Sequence, residues 1–227
     1  MIDLTRDDDV FILRMQSGEN RIDLAFLKEF GRALDEVDAF EGPAALVTTG
    51  TGHFYSTGLD LEALVDERAG EAQEVLTGLH QLFGRLLVFP RVTVAAVNGH
   101  AFAAGAMLAM AQDFRIMRND RGFFCIPEID LATGQPLTPG MIALLEARLP
   151  RASFHEAVVT GRRYTADEAV SHAFAHESLS EAEMLPRAIE RARGLADKDR
   201  ATMSALKGAL YASVLNALTE PHVSRGR

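Results

Sequence analysis

The chain has 227 residues, 48% of them hydrophobic, a size that suits one core domain with an appended element. Its formal net charge of −9 argues against non-specific nucleic-acid binding, which needs a basic surface. No apolar run reaches the ~20 residues of a membrane span, and the acidic residues 1–9 lack a signal-peptide core, so the sequence predicts a soluble protein of the cytoplasm.

The first part of the chain alternates strand and helix patterns. Residues 2–5 and 10–15 are typical of two strands joined by an acidic turn. Asp23 is placed to cap a helix over 23–37, in which apolar residues recur at helical spacing. The short apolar run 44–48 predicts a further buried strand.

The middle of the chain is organised around residues 92–110. An apolar, β-branched run over 92–97 predicts one buried strand, and the Ala-rich segment 103–111 predicts a helix. Before this stretch, Gly58 is expected to begin a short helix that reaches residue 65. A longer helix is predicted over 70–88, where Pro90 stops it.

The remaining residues change from strand to helix patterns. Short strands are predicted over 114–118 and 122–126, and from Pro139 the pattern is helical almost to the end. The last helix, over 199–218, is expected to be apolar along one side. Repeated strand, loop and helix units indicate an α/β core with partly parallel strands, whose active site lies where strands end and helices begin.

The turn into the Ala-rich helix is lined by minimal side chains. Free backbone N–H groups at a helix start can hold a developing oxyanion, and small side chains let a substrate carbonyl approach them. Close packing of a helix on a sheet would favour the same small residues without any catalytic role. The small residues at this turn are Ala101, Ala103, Ala104, Gly105 and Ala106.

Two segments together resemble a known family. Residues 98–113, NGHAFAAGAMLAMAQD, resemble the second signature of the crotonase (enoyl-CoA hydratase/isomerase) superfamily, and residues 54–61, FYSTGLDL, are similar to the first. The resemblance implies an α/β crotonase-like spiral core of ββα repeats over 1–160. It also implies a helical C-terminal region over 161–227 that supports a homotrimer or hexamer.

The resemblance further implies an acyl-CoA thioester substrate in fatty-acid metabolism, with no metal and no cofactor beyond the coenzyme A of the substrate. The thioester carbonyl would be held by the backbone N–H groups of Leu59, which follows Gly58, and of Ala104, which precedes Gly105. Arg21 matches a basic position that commonly meets the phosphates of coenzyme A. Lys207 is a second candidate for that role.

The acid–base residues depart from the hydratase pattern. Many hydratases of the family carry two glutamates, and this chain has Met107 at the first position but retains Glu128 at the second. A single carboxylate can still move a proton between two carbons, so the resemblance favours a Δ3,Δ2-enoyl-CoA isomerase. An apolar wall of Met107, Phe102 and Ile129 is expected to raise the pKa of Glu128. Asp130 is the reserve acid.

Non-catalytic roles stay open for several of these residues. Glu128 is also compatible with a solvated loop position, and Met107 with simple core packing. A hydratase, another acyl-CoA activity or a non-catalytic acyl-CoA-binding protein are the alternative functions. His53 and Tyr55 lie in the first-signature loop and could line the pocket. His100 and the single cysteine, Cys125, are interpreted as structural, the latter as a buried strand residue.

Overall fold

The computed structural model describes residues 2–60, 69–131 and 137–220. The strands are β1 Ile2–Asp7, β2 Val10–Met15, β3 Ala45–Gly50, β4 Phe54–Ser56, β5 Val92–Val97, β6 His100–Phe102, β7 Phe114–Arg118, β8 Phe124–Cys125 and β9 Glu177–Leu179. The helices are α1 Leu24–Ala39, α2 Ala69–Leu87, α3 Ala104–Met110, α4 Pro139–Arg148, α5 Arg151–Thr160, α6 Ala166–Ser171, α7 Glu181–Arg193, α8 Arg200–Leu210 and α9 Ala212–Thr219. A 3₁₀ turn spans Glu128–Asp130.

The strands form two sheets. The main sheet has the order β1-β2-β3-β5-β7-β9, and the small sheet has the order β4-β6-β8. Only the β1-β2 pair is antiparallel among the strand pairs of the described residues. In each of the pairs β3-β4, β5-β6 and β7-β8, the first strand joins the main sheet and the second joins the small one. This pattern confirms the predicted α/β core of ββα repeats.

The main sheet is covered on both faces. Successive side chains of a strand point to opposite faces, and in β2 Phe11 and Leu13 join the large core cluster, whereas Val10 and Ile12 join a second cluster. Helix α7 covers this second side with Met184, Ala188 and Ala192. No helix within the described ranges is long and apolar enough to cross a membrane.

The N-terminal predictions are confirmed in outline. The β1-β2 hairpin turns at the acidic residues, with Asp7 opposite Val10. The Asp23 side chain caps α1 by accepting the Phe26 N–H at 2.7 Å. Near the start of α1, Leu24 and Leu27 are only half-buried. The buried residues of α1 are Phe26, Phe30, Ala33, Leu34 and Val37.

The helix predicted to begin at Gly58 is wrong for its first residues. Leu59 forms a parallel bridge with Ile22, so the chain is extended there. Gly58 has a φ of +92°, a conformation that favours glycine. The later part of that predicted helix, residues 61–65, lies outside the described residues.

The C-terminal part of the chain contributes to the main sheet. Strand β9, which the sequence did not predict, pairs with β7, so the predicted boundary after residue 160 does not coincide with a break in the sheet. The helix predicted over 199–218 is two helices that meet at Tyr211. Its apolar side is covered in part: Val214 and Leu218 of α9 are buried, whereas Leu206 and Leu210 of α8 are 66% and 71% exposed.

Candidate active site

Two distant segments meet where the signatures lie. A Cβ atom on Gly58 would lie 3.0 Å from the backbone nitrogen of Ala104, so the first-signature loop touches the start of α3. The Gly58 carbonyl accepts the Ile22 N–H at 2.8 Å and the Asp60 N–H donates to the Ile22 carbonyl at 3.2 Å. The N–H of Leu59 shares a trans peptide with the Gly58 carbonyl, and because the two groups of such a peptide point in opposite directions, this N–H points away from Ile22.

The start of α3 is held by an unusual backbone conformation and by close packing. Ala103 has a φ of +50°, and its N–H donates to the Cys125 carbonyl at 3.1 Å. Such a conformation in a non-glycine residue costs about 1–3 kcal/mol and persists only where the surroundings impose it. Gly105 follows, and a Cβ there would lie 2.2 Å from the Ser56 carbonyl oxygen, so only glycine fits against β4.

Glu128 lies in the 3₁₀ turn that follows β8. Strand β8 pairs with β6, whose last residue, Phe102, immediately precedes the Ala103-Ala104 turn. The Oε2 atom of Glu128 is buried and has no hydrogen-bond partner within the described part of the chain. Burial raises the pKa of Glu128 to about 7. A backbone hydrogen bond lowers this pKa by a smaller amount.

Ile129 does not contribute to an apolar wall as predicted. Met107 is completely buried inside α3, and Phe102 is half-buried. Ile129 points outward, with 60% of its surface exposed. Burial raises the Glu128 pKa as expected, without Ile129 as a cover. Asp130, the reserve acid, is exposed.

The two candidate phosphate-binding residues differ in their surroundings. Arg21 lies beside the Gly58 loop, and its guanidinium donates to Glu19 at 2.8 Å and to Asp60 at 3.2 Å. Lys207 is buried, and its ammonium donates to the carbonyls of Phe89 and Arg91 and to the carboxylate of Asp113. The Lys207 role in binding phosphate is therefore wrong, because this ammonium is fully used inside the core.

Other predicted residues are structural. The Tyr55 side chain is not a pocket residue, because it is fully buried with its hydroxyl 2.8 Å from both Thr48 Oγ1 and Gln112 Nε2. Burial raises the Tyr55 pKa to about 12. Cys125 is a buried strand residue, as predicted, and burial raises its pKa to about 11. The His100 ring packs at tilted angles against the rings of Phe54, Phe102 and Phe123, and burial lowers its pKa.

Two residues that the sequence patterns did not single out, Ser56 and Asn20, lie beside the Gly58 loop. Both side chains are fully buried, and both make hydrogen bonds to the backbone of this region. In the sequence, the one sign of this arrangement was the serine inside the first signature. Its hydrogen-bond partner, Asn20, lies far away along the chain. Among residues 2–60, 69–131 and 137–220, no three His, Cys, Asp or Glu side chains gather as metal ligands would.

Comparison with known proteins identifies the family. The sequence model described as enoyl-CoA hydratase/isomerase matches residues 6–224. The chain belongs to the enoyl-CoA hydratase/isomerase family. It is 32% identical to the peroxisomal enoyl-CoA delta isomerase 1 of Arabidopsis thaliana over 75% of this chain and 71% of that protein. It is also 32% identical to a carnitinyl-CoA dehydratase of Salmonella paratyphi A over 98% of this chain and 83% of that protein.

A solved structure extends the similarity to the whole fold. The probable enoyl-CoA hydratase of Mycobacterium tuberculosis H37Rv superposes with a TM-score of 0.88 at 28% identity, covering 96% of this chain and 91% of that one. The family's relatives are enzymes, and this chain shares their fold nearly throughout. The family is thereby established.

Proposed function

We propose that this protein is an acyl-CoA enzyme of fatty-acid metabolism, a Δ3,Δ2-enoyl-CoA isomerase that moves a proton with Glu128 alone. The observation that carries the proposal is the Oε2 atom of Glu128, which is buried without a hydrogen-bond partner in the described structure. With its pKa raised to about 7, this carboxyl group can both take up and release a proton near neutral pH. The similarity to a plant enoyl-CoA delta isomerase supports the same reaction.

The backbone N–H groups of Leu59 and Ala104 would bind the thioester oxygen. Two such donors about 2.7–3.1 Å from the oxygen contribute roughly 3 to 4 kcal/mol each as negative charge develops there. The contact between Gly58 and Ala104 supports this pairing. Glycine at positions 58 and 105 supports it too, since a Cβ at either position would press on the backbone of the other donor's segment.

The reaction then needs one base. The Glu128 carboxylate removes a proton from C2 of a 3-enoyl-CoA, and the electron pair of that bond delocalises over the thioester and the C3=C4 double bond. The protonated Glu128 returns the proton to C4, so that the double bond lies between C2 and C3. No atom is gained or lost and no electron leaves the substrate, so the reaction requires no redox cofactor.

Met107 argues against water addition. A hydratase needs a second polar group to orient water, and the thioether of Met107 is completely buried and cannot do so. Dehydration remains the second candidate, because the similarity to the carnitinyl-CoA dehydratase spans nearly the whole chain. The two candidates differ in whether water leaves the substrate, which an assay measures directly.

Substrate binding and assembly complete the proposal. Arg21 would meet a phosphate of coenzyme A in exchange for its contacts with Glu19 and Asp60. Assembly into a trimer or hexamer would cover the large apolar side chains that the single chain leaves exposed. These exposed residues are Ile129, Val159, Leu206 and Leu210.

The experiment that tests the base is the substitution Glu128→Gln, with Asp130→Asn as its matched control. Loss of a general base should lower kcat for 3-enoyl-CoA isomerisation by about 10²- to 10⁴-fold, whereas the Kd for acyl-CoA changes little. Asp130→Asn should leave kcat near the parent value, because Asp130 is exposed. A Gln variant with the parent kcat would rule out Glu128 as the base, and a loss of activity in Asp130→Asn would identify Asp130 instead.

A further inference from the structure

Ser56 lies between the two segments that meet at the candidate site. It is the last residue of β4 and is fully buried. Its backbone carbonyl packs so closely on α3 that a Cβ on Gly105 would lie 2.2 Å from the oxygen. Ser56 is therefore in contact with the residue that directly follows Ala104.

The Ser56 hydroxyl reaches the other segment. It donates to the carbonyl of Asn20 at 2.7 Å and accepts the backbone N–H of Gly58 at 3.2 Å. The Gly58 carbonyl in turn accepts the N–H of Ile22 at 2.8 Å. One hydroxyl group thus joins the Thr57-Gly58 peptide to the loop that precedes α1, and Ile22 of the same loop holds the next peptide, whose N–H is that of Leu59.

The acceptor of this hydroxyl is itself fixed. Asn20 is fully buried and has a φ of +51°. Its side-chain amide donates to the Tyr55 carbonyl at 3.0 Å, and its side-chain oxygen accepts the Ser17 N–H at 2.8 Å. Asn20 therefore provides a rigid point against which Ser56 can hold Gly58.

From these contacts we infer that Ser56 is a positioning residue, whose hydroxyl sets the separation between the N–H groups of Leu59 and Ala104. The inference rests on the proposed function, in which those two groups bind the thioester oxygen. Without the hydroxyl, the Gly58 N–H loses its hydrogen-bond acceptor. The Leu59 N–H then moves relative to α3. A displacement of about 1 Å at a reacting group can cost roughly 10²-fold in rate.

The test compares Ser56→Ala with Thr57→Val, using [1-¹³C]butanoyl-CoA as the probe. This saturated thioester cannot isomerise or add water, so its carbonyl stretching frequency reports the two donors whatever reaction the enzyme performs. Thr57 is the matched control, because within the described ranges its hydroxyl makes only long contacts, of 3.5 Å, to Glu19. Ser56→Cys, which keeps the side-chain size and a weak donor, provides the intermediate variant should Ser56→Ala fail to fold.

The parent enzyme and Thr57→Val should lower the carbonyl frequency equally relative to free butanoyl-CoA. Ser56→Ala should return it most of the way to the free value, with Ser56→Cys in between, and kcat should fall in the same order by up to about 10²-fold. Parent-like frequencies in both Ser56 variants would overturn the inference, as would an unshifted carbonyl in the parent. A shifted carbonyl in a parent that does not isomerise 3-enoyl-CoA would refute the isomerase proposal while the positioning role stands.

Discussion

Glu128→Gln should make the protein more stable at neutral and alkaline pH. The glutamine amide has the shape of the protonated acid but does not ionise, so it removes the burial of a negative charge. The Oε2 atom that bears this charge is buried and has no hydrogen-bond partner in the part of the chain that the structure describes. An activity-destroying change that increases stability would indicate a carboxylate kept in an unfavourable environment for its function.

The magnitude and its pH range follow from the pKa of Glu128. The pKa is about 7 in the folded protein, against an ordinary value of 4.5. Between these values the folded protein keeps the proton and the unfolded chain loses it, so the free energy of unfolding falls as pH rises. At roughly 1.4 kcal/mol per pKa unit, the wild type should lose about 3 kcal/mol relative to the Gln variant.

Thermal unfolding measured from pH 4.5 to pH 8 tests this magnitude. The melting temperatures should be close at pH 4.5, and the Gln variant should melt about 6 to 12 °C higher at pH 8. Asp130→Asn retains Glu128 and should keep the pH dependence of the wild type. A difference between wild type and Gln variant that stays constant over this pH range would show that the Glu128 carboxylate is well solvated, and would refute the reasoning.

Three further changes test other parts of the structure. Gly58→Ala should lower kcat by at least about 10-fold and should also lower the melting temperature, because the added Cβ strains a φ of +92° and presses on the Ala104 nitrogen at 3.0 Å; parent kinetics would contradict this. Lys207→Met should cost about 3–5 kcal/mol of stability, measured by urea unfolding, and leave the Kd for acyl-CoA unchanged, whereas weaker acyl-CoA binding would restore its phosphate role. The double change Leu206→Glu and Leu210→Glu should lower the mass measured by light scattering below that of a trimer or hexamer. A parent protein that is monomeric at micromolar concentration would contradict the assembly proposal.

Local sequence signals predicted the elements that local interactions stabilise. The Asp23 cap of α1, the acidic turn of the β1-β2 hairpin and the buried strand β5 each have a short-range signature, and each is present. Strands β4, β6 and β9, of three residues each, carry no such signal. They exist because other strands pair with them, and periodicity within a segment does not report such pairing.

The same distinction holds at the candidate site. The small residues around Ala104 and the retained Glu128 could be recognised in the sequence, because family signatures contain them. The burial of Glu128 could not be read from its neighbours, since Ile129 points outward and the carboxylate inward. The extended backbone from Gly58 to Asp60 depends on Ile22, far away along the chain, and the helical spacing of the apolar residues that follow suggested a helix instead.

Parallel incubation with 3-hexenoyl-CoA and 2-hexenoyl-CoA tests the central claim most directly. The first reaction is monitored through formation of the conjugated 2-enoyl thioester. The second is monitored through addition of water, which gives the 3-hydroxyacyl thioester. The wild type should isomerise 3-hexenoyl-CoA much faster than it hydrates 2-hexenoyl-CoA, and Glu128→Gln should slow the isomerisation by about 10²- to 10⁴-fold. Hydration faster than isomerisation in the wild type would contradict a single-base isomerase.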